Sequence, residues 1–173
     1  VQNNSEIALL LEWDDATLEN KIEVSATHTD QAAIMFPLSP DKEVPLITMG
    51  SENEIVNIWQ WRAIWEKSLN TKSRSSDRNL KMSAFGNDRP SSVEDLTAAG
   101  YSTLTTQEEQ DVLGRGTWRD KTWRVVFKRS LVNSDNADIQ FKYPIAMAIA
   151  VWNGGNGERN GQKGISNWIL LRL

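Results

Sequence analysis

The clearest signal along this chain is a two-residue period. Between residues 55 and 65, Trp59, Trp61, Ala63 and Trp65 alternate with Val56, Ile58, Gln60 and Arg62, the spacing that gives a strand two unlike faces. The stretch is also long enough to read as a short helix. Residues 144–152 repeat the pattern, with Ala146, Ala148 and Ala150 on one face and Ile145, Met147, Ile149 and Val151 on the other. Apolar runs at 6–13, closed by Asp14-Asp15, and at 31–36, closed by Pro37 and Pro40, predict two more strands. Residues 123–128 predict another, and 165–173 a last one. Two segments break the pattern. Residues 69–100 are polar and punctuated by Asn, Ser, Gly86 and Pro90, which predicts a long surface loop; 153–163 is a Gly/Asn-rich bend between the last two strands. No internal repeat or linker divides the chain. Many short strands with frequent turn signals predict a single domain over residues 1–173, mainly β, an antiparallel β-sandwich with few short helices.

Composition narrows the function. A length of 173 residues suits one hydrophobic core. A net charge of −4 and a pI near 5.1 argue against nucleic acid, which is bound through clustered Lys and Arg. No apolar run approaches the roughly 20 residues that span a bilayer. Cysteine is absent. That excludes disulfides, thiolate metal sites, iron–sulfur clusters and covalently attached c-type haem. The chain opens on Val1-Gln2-Asn3-Asn4 and soon enters a strand-like run, with no visible leader. A cytoplasmic protein and the mature part of a longer precursor both fit.

Few residues offer chemistry. His28, the only histidine, lies in Ala26-Thr27-His28-Thr29-Asp30 and reads as a solvated loop residue; one His without Cys builds no typical zinc site. Glu12, Asp14 and Asp15 could serve as paired carboxylates for glycoside hydrolysis, but an Asp pair ending a strand more often makes a turn. Lys and Arg within 67–89 read as a solvated face. Met35 and Met147 sit in apolar strands and read as core; Met82 reads as core or loop filler. Met49 stands apart, in Val44-Pro45-Leu46-Ile47-Thr48-Met49-Gly50 before the Trp-rich strand. Its thioether is a soft ligand that could reach iron, although its neighbours alone fit core packing. Lys163 stands where the glycine-rich bend re-enters a strand, and by itself reads as an exposed lysine. The glycines of that bend permit close backbone approach to a flat ligand.

Several segments together carry a resemblance. They are Leu11-Glu12-Trp13-Asp14-Asp15, Ala33-Ile34-Met35-Phe36-Pro37, Thr48-Met49-Gly50, Val56-Asn57-Ile58-Trp59-Gln60-Trp61-Arg62-Ala63, Trp123-Arg124-Val125-Val126-Phe127 and the stretch from Trp152 to Trp168. In order and spacing they resemble the haem b-binding gamma subunits of periplasmic molybdenum enzymes related to ethylbenzene dehydrogenase, a group that includes dimethylsulfide dehydrogenase, selenate reductase and chlorate reductase. The likeness is weakest over 69–113. Family members carry more sequence ahead of the Trp-Asp-Asp strand than stands here.

The resemblance implies a β-sandwich with one non-covalent haem b, ligated by Met49 and by Lys163 in Arg159-x-x-x-Lys163-x-x-Ser166-x-Trp168. It needs no histidine. It implies a non-catalytic, periplasmic electron-transfer subunit in a heterotrimer with a molybdenum catalytic subunit and an iron–sulfur subunit. A soluble c-type cytochrome would be the outer redox partner. The ligand pair is chemically coherent. Thioether sulfur favours reduced iron, and lysine ligates only as the neutral amine, against a reference pKa of about 10.4, so burial must help. Six-coordinate iron leaves no open position for substrate. Trp59, Trp61 and Trp152 are the candidate walls for the ring. The eight tryptophans also support a rival, a carbohydrate-binding β-sandwich module. A visible spectrum separates the two readings.

Overall fold

A computed structural model describes residues 1–21, 27–39, 43–66, 69, 91–141 and 144–172. Among these residues the chain forms ten strands in two antiparallel sheets. The smaller sheet orders β1 (Glu6–Asp14), β7 (Thr122–Ser130) and β6 (Leu113–Arg119) as β1-β7-β6. The larger runs β10 (Ile169–Leu171), β8 (Ile145–Trp152), β2 (Gln31–Pro37), β3 (Val56–Arg62), β4 (Val93–Ala98) and β5 (Thr105–Thr106). A short β9 (Gly164–Ile165) also pairs with β8. The sandwich expected from the alternation is the fold found.

Alternation decides what fills the space between the sheets. Ile7 and Leu9 of β1 and Trp123, Val125 and Phe127 of β7 meet Ala32, Ile34 and Phe36 of β2, Trp59 and Trp61 of β3, and Ile145 of β8. Aromatic rings dominate this core. Trp61 and Trp123 lie 4.7 Å apart edge to face, as do Phe36 and Trp59 at 4.8 Å, the arrangement ring quadrupoles favour. Trp13 joins on the other flank of Trp61 at 6.1 Å.

Four expectations need correction. The Trp-rich strand ends at Arg62, not Trp65, and residues 63–66 turn helical. The cause is Glu66, a buried carboxylate that takes the Trp61 indole N–H at 3.1 Å, the Gly116 amide at 2.7 Å and the Ser92 hydroxyl; a straight strand would carry it away from these donors. The supposed loop 69–100 contains β4, which pairs in full with β3. Its Val-Glu-Asp-Leu-Thr-Ala sequence hides the alternation, because its inward position at Asp95 is polar. β6, rich in glycine and arginine, was not expected at all. The last strand divides into β9 and β10, since Ser166 leaves the ladder to bond Ile149. Met82, Pro40 and most of 67–89 fall outside the described residues.

Candidate functional site

The large sheet has a second face, turned away from the small sheet. Ala33 and Met35 of β2, Val56 and Ile58 of β3, Leu96 and Ala98 of β4, and Ala148, Ala150 and Trp152 of β8 form a separate apolar cluster there. Four of these nine side chains are alanines, so the floor is flat. Ile47, Met49 and Trp168 pack against it. Of the candidate walls, Trp59 and Trp61 point into the inter-sheet core, and only Trp152 lies on this face. Met35, read as ordinary core, belongs to the floor as well.

Met49 reaches the floor from a tight turn at 47–49. Gly50 donates its amide to the Leu46 carbonyl at 2.9 Å, and Met49 and Gly50 both take positive φ, 75° and 79°. A left-handed methionine is uncommon and needs surroundings that hold it. They do so on both sides. The Met49 carbonyl accepts from the Gly100 amide at 2.9 Å, just past β4. A Cβ on Gly50 would come within 2.3 Å of the Glu54 carbonyl, so only glycine fits there.

Lys163 arrives by strand register. β9 pairs Gly164 with Val151 and Ile165 with Ala150, which sets the preceding Lys163 beside Trp152. Its Nζ lies 4.8 Å from the centre of the Trp152 ring, a cation–π distance. Burial pushes the Lys163 ammonium below its ordinary pKa, and among the described residues it makes no ion pair. Ser166 locks the segment: its hydroxyl accepts from the Ile149 amide, and its own amide donates to the Ile149 carbonyl, both at 2.9 Å.

The bend before Lys163 is anchored at its start by a residue that sequence reasoning passed over. Asp30 is fully buried, and its carboxylate accepts from the amides of Gly154 at 2.9 Å and Glu19 at 2.8 Å and from the Trp123 indole at 3.0 Å. Burial pushes its pKa up to about 6. An isolated Asp before a strand carries no sequence signal of this role. Gly154 sits so close to the chain at His28 that a Cβ would lie 2.3 Å from the His28 carbonyl. The Trp168 indole then donates to the Pro45 carbonyl at 2.9 Å, joining the segment of Lys163 to that of Met49.

The other candidates fall away from this face. His28 is half-buried and serves through its backbone. Glu12 is paired with Arg124 at 2.6 Å on the exposed side of the small sheet. Asp15 caps the end of β1, taking the Thr17 amide at 3.1 Å and the Asn153 side chain at 3.3 Å; the acidic pair makes a turn. What remains together is a thioether, a desolvated amine and a flat apolar floor. That donor set fits an iron porphyrin, whose iron takes soft or neutral axial ligands and whose ring needs an apolar wall.

Comparison with known proteins points the same way. A putative respiratory nitrate reductase heme subunit of Haloferax mediterranei is 30% identical over 161 residues, 91% of this chain and 48% of that protein. The chlorate reductase gamma subunit of Ideonella dechloratans is 29% identical, covering 100% of the chain and 62% of the relative. The dimethylsulfide dehydrogenase gamma subunit of Rhodovulum sulfidophilum is also 29% identical, over 94% of the chain and 54% of its own length. The chain thus spans about half to three-fifths of these relatives. The model of the ethylbenzene dehydrogenase family matches residues 1–164, and the chain belongs to that family.

Proposed function

We propose that this chain is an electron-transfer subunit that holds one non-covalent b-type haem on the outer face of the large sheet, with Met49 and Lys163 as axial ligands. One observation carries the reading: two residues far apart in sequence, a left-handed methionine and a desolvated lysine, border the same alanine-rich floor. The relatives' names agree with it, one being a heme subunit and two being gamma subunits of a reductase and a dehydrogenase.

When bound, the haem supplies reversible one-electron chemistry. The protein's own residues do the rest. Met49 offers a neutral sulfur that favours the reduced state. Lys163 offers an amine whose proton is already disfavoured by burial. The alanine-rich floor would give a planar ring an apolar wall, with Trp152 on the same face and Trp168 packed against it. Two protein ligands leave the iron no site for substrate, so the role is relay. The proposed partners are a molybdenum catalytic subunit, an iron–sulfur subunit and a soluble c-type cytochrome, in the periplasm. The carbohydrate-binding alternative finds no exposed tryptophan platform: of the eight tryptophans, Trp59, Trp61, Trp123 and Trp152 are buried and Trp13, Trp65, Trp118 and Trp168 are half-buried.

The test is optical. Protein reconstituted with haem should give a low-spin six-coordinate spectrum, with the haem extractable into acidic organic solvent. Met49→Ala and Lys163→Ala should each abolish the low-spin form. A protein that rejects haem, or two variants with unaltered spectra, would overturn the proposal.

A further inference from the structure

The opposite side of β4 carries an unrelated polar cluster. Leu96 and Ala98 face the apolar floor, but Asp95 points inward, toward one end of the space between the sheets. There it meets Asp138 and Asp111; carboxylate oxygens of the three lie within 4.8 Å of one another. Asp95 and Asp138 are buried and Asp111 is exposed. Among the described residues Arg129 of β7 is the one cation beside them, its Nη1 3.2 Å from Asp138 Oδ1. Three carboxylates against one guanidinium leave a formal −2 in a poorly solvated place.

Hydrogen bonds do not absorb that charge. Asn57 and Gln107 donate to Asp95 Oδ1, Gln107 at 2.9 Å, and Asn133 donates to Asp111 at 2.8 Å and also to Asp138. Asp95 Oδ2 remains buried without a partner, and so does Oε1 of Gln107. Gln107 is only 8% exposed and is not part of the acidic triad. Its amide nitrogen has four oxygens around it: Asp95 Oδ1 at 2.9 Å, Asp138 Oδ1 at 3.3 Å, the Ala137 carbonyl at 3.3 Å and the Leu96 carbonyl at 3.4 Å. An amide group has two protons to give. Two buried acceptors are therefore orphaned beside a donor that is oversubscribed, a costly arrangement in a protein interior.

We infer that Asp95, Asp138 and Asp111, with the amide oxygen of Gln107 and the carbonyl of Ala137, form a binding site for a divalent cation of the calcium type. A cation would take the two orphaned oxygens as ligands and cancel the local charge. The donors are all oxygen, from carboxylates, an amide and backbone, which is the hard set calcium accepts in irregular geometry at higher coordination number. Magnesium is less well suited, because it demands near-octahedral geometry and keeps its waters. Asp111, exposed, gives the ion its way in. The ion would tie β4 and the 107–111 segment to the turn at 133–138, stiffening the strand whose other face forms the floor.

Full-length protein stripped with chelator should show a saturable rise in Tm on adding millimolar CaCl2 at neutral pH. A shift of about 3 °C or more is expected for a domain of this size, with a smaller shift for MgCl2 and a matching calorimetric heat. Asp138→Asn should abolish the response. Because that variant removes the Arg129 partner and can fail to fold, Asp111→Asn, at an exposed position, serves as the second, and should weaken calcium binding at least tenfold with the fold intact. No calcium-dependent Tm shift or heat in wild type overturns the inference. So does a calcium response in Asp111→Asn equal to that of wild type. Stability that depends on pH alone, unchanged by calcium, would show that a shared proton satisfies the cluster instead.

Discussion

The indole of Trp168 donates to the backbone carbonyl of Pro45 at 2.9 Å. Pro45 opens the turn that delivers Met49, and Trp168 closes the segment that delivers Lys163. The segments that carry the two proposed ligands are thus joined to each other as well as to the sheet.

Trp168→Phe keeps an aromatic body against the floor and removes the donor. The loss of one hydrogen bond to a buried carbonyl should cost about 1 kcal/mol, a small drop in Tm. Haem retention should suffer more than stability does, since the bond spans the two segments. Competition with apomyoglobin measures retention; a variant that keeps haem as wild type does would show that the sheet alone sets the spacing.

His28 and Gly154 touch, yet should respond oppositely. His28→Ala removes an imidazole that makes no hydrogen bond among the described residues and should leave the low-spin spectrum intact. In Gly154→Ala the new Cβ would meet backbone at 2.3 Å, at the His28 carbonyl, and backbone cannot swing aside. The bend must shift, and Lys163 with it. A mixed or high-spin spectrum at neutral pH is expected. Loss of the low-spin form in His28→Ala would mean the ligand assignment is wrong.

Asp30 gives the fold a pH dependence of known sign. Its folded pKa is raised to about 6 from 3.8, so the folded state binds the proton more tightly than the unfolded chain does. The stability from this group is present in full below about pH 4 and is lost as pH rises through about 6. The difference amounts to about 3 kcal/mol at most. Asp30→Asn removes that titration and places an amide group against one of three donors. Its stability should be lower overall and flatter between pH 4 and 6 by comparison with wild type, as read from urea unfolding at several pH values. Parallel pH profiles for the two proteins would show that Asp30 does not titrate in this range.

Where one face of a strand is apolar and the other is not, the sequence was readable. β7 alternates cleanly; β2 and β8, apolar on both faces, read instead as continuous apolar runs, and the site's floor takes in Ala148 and Ala150 of the alanine face read from the pattern, with Trp152 in place of Ala146 within the cluster. β4 was missed for a physical reason. Its inward Asp95 is tolerated only because Asn57, Gln107 and Arg129 come from elsewhere in the chain to meet it. β6 was missed because glycine at 114 and 116 makes room for Val93 and Trp61, and an absent side chain leaves no pattern. Met49 and Lys163 are singled out as candidate ligands through resemblance alone; no local feature distinguishes a lysine that register will place over a tryptophan. Asp30 illustrates the limit, since its three partners are dispersed from Glu19 to Gly154.

The two proposed ligands differ in acid–base chemistry, and that difference can be read directly. A thioether takes up no proton in ordinary acid, whereas a released lysine amine does so readily. Burial beside Trp152 already lowers the Lys163 pKa, and coordination to iron would lower it further, because a bound lone pair is closed to protons. In haem-loaded protein, falling pH should therefore displace Lys163 first and leave Met49 in place. The low-spin spectrum should hold at neutral pH and give way to a high-spin one in acid, with one proton taken up. That transition should lie well below the free-lysine value of about 10.4. In the haem-free protein the sign is fixed by the same burial: a depressed lysine pKa means the unfolded chain binds the proton more tightly, so stability rises as pH climbs toward 10. Lys163→Met should flatten that rise, and in haem-loaded protein should show no lysine-linked acid step. A Lys163→Met variant with the wild-type spectrum and the wild-type acid transition would leave Lys163 without its role.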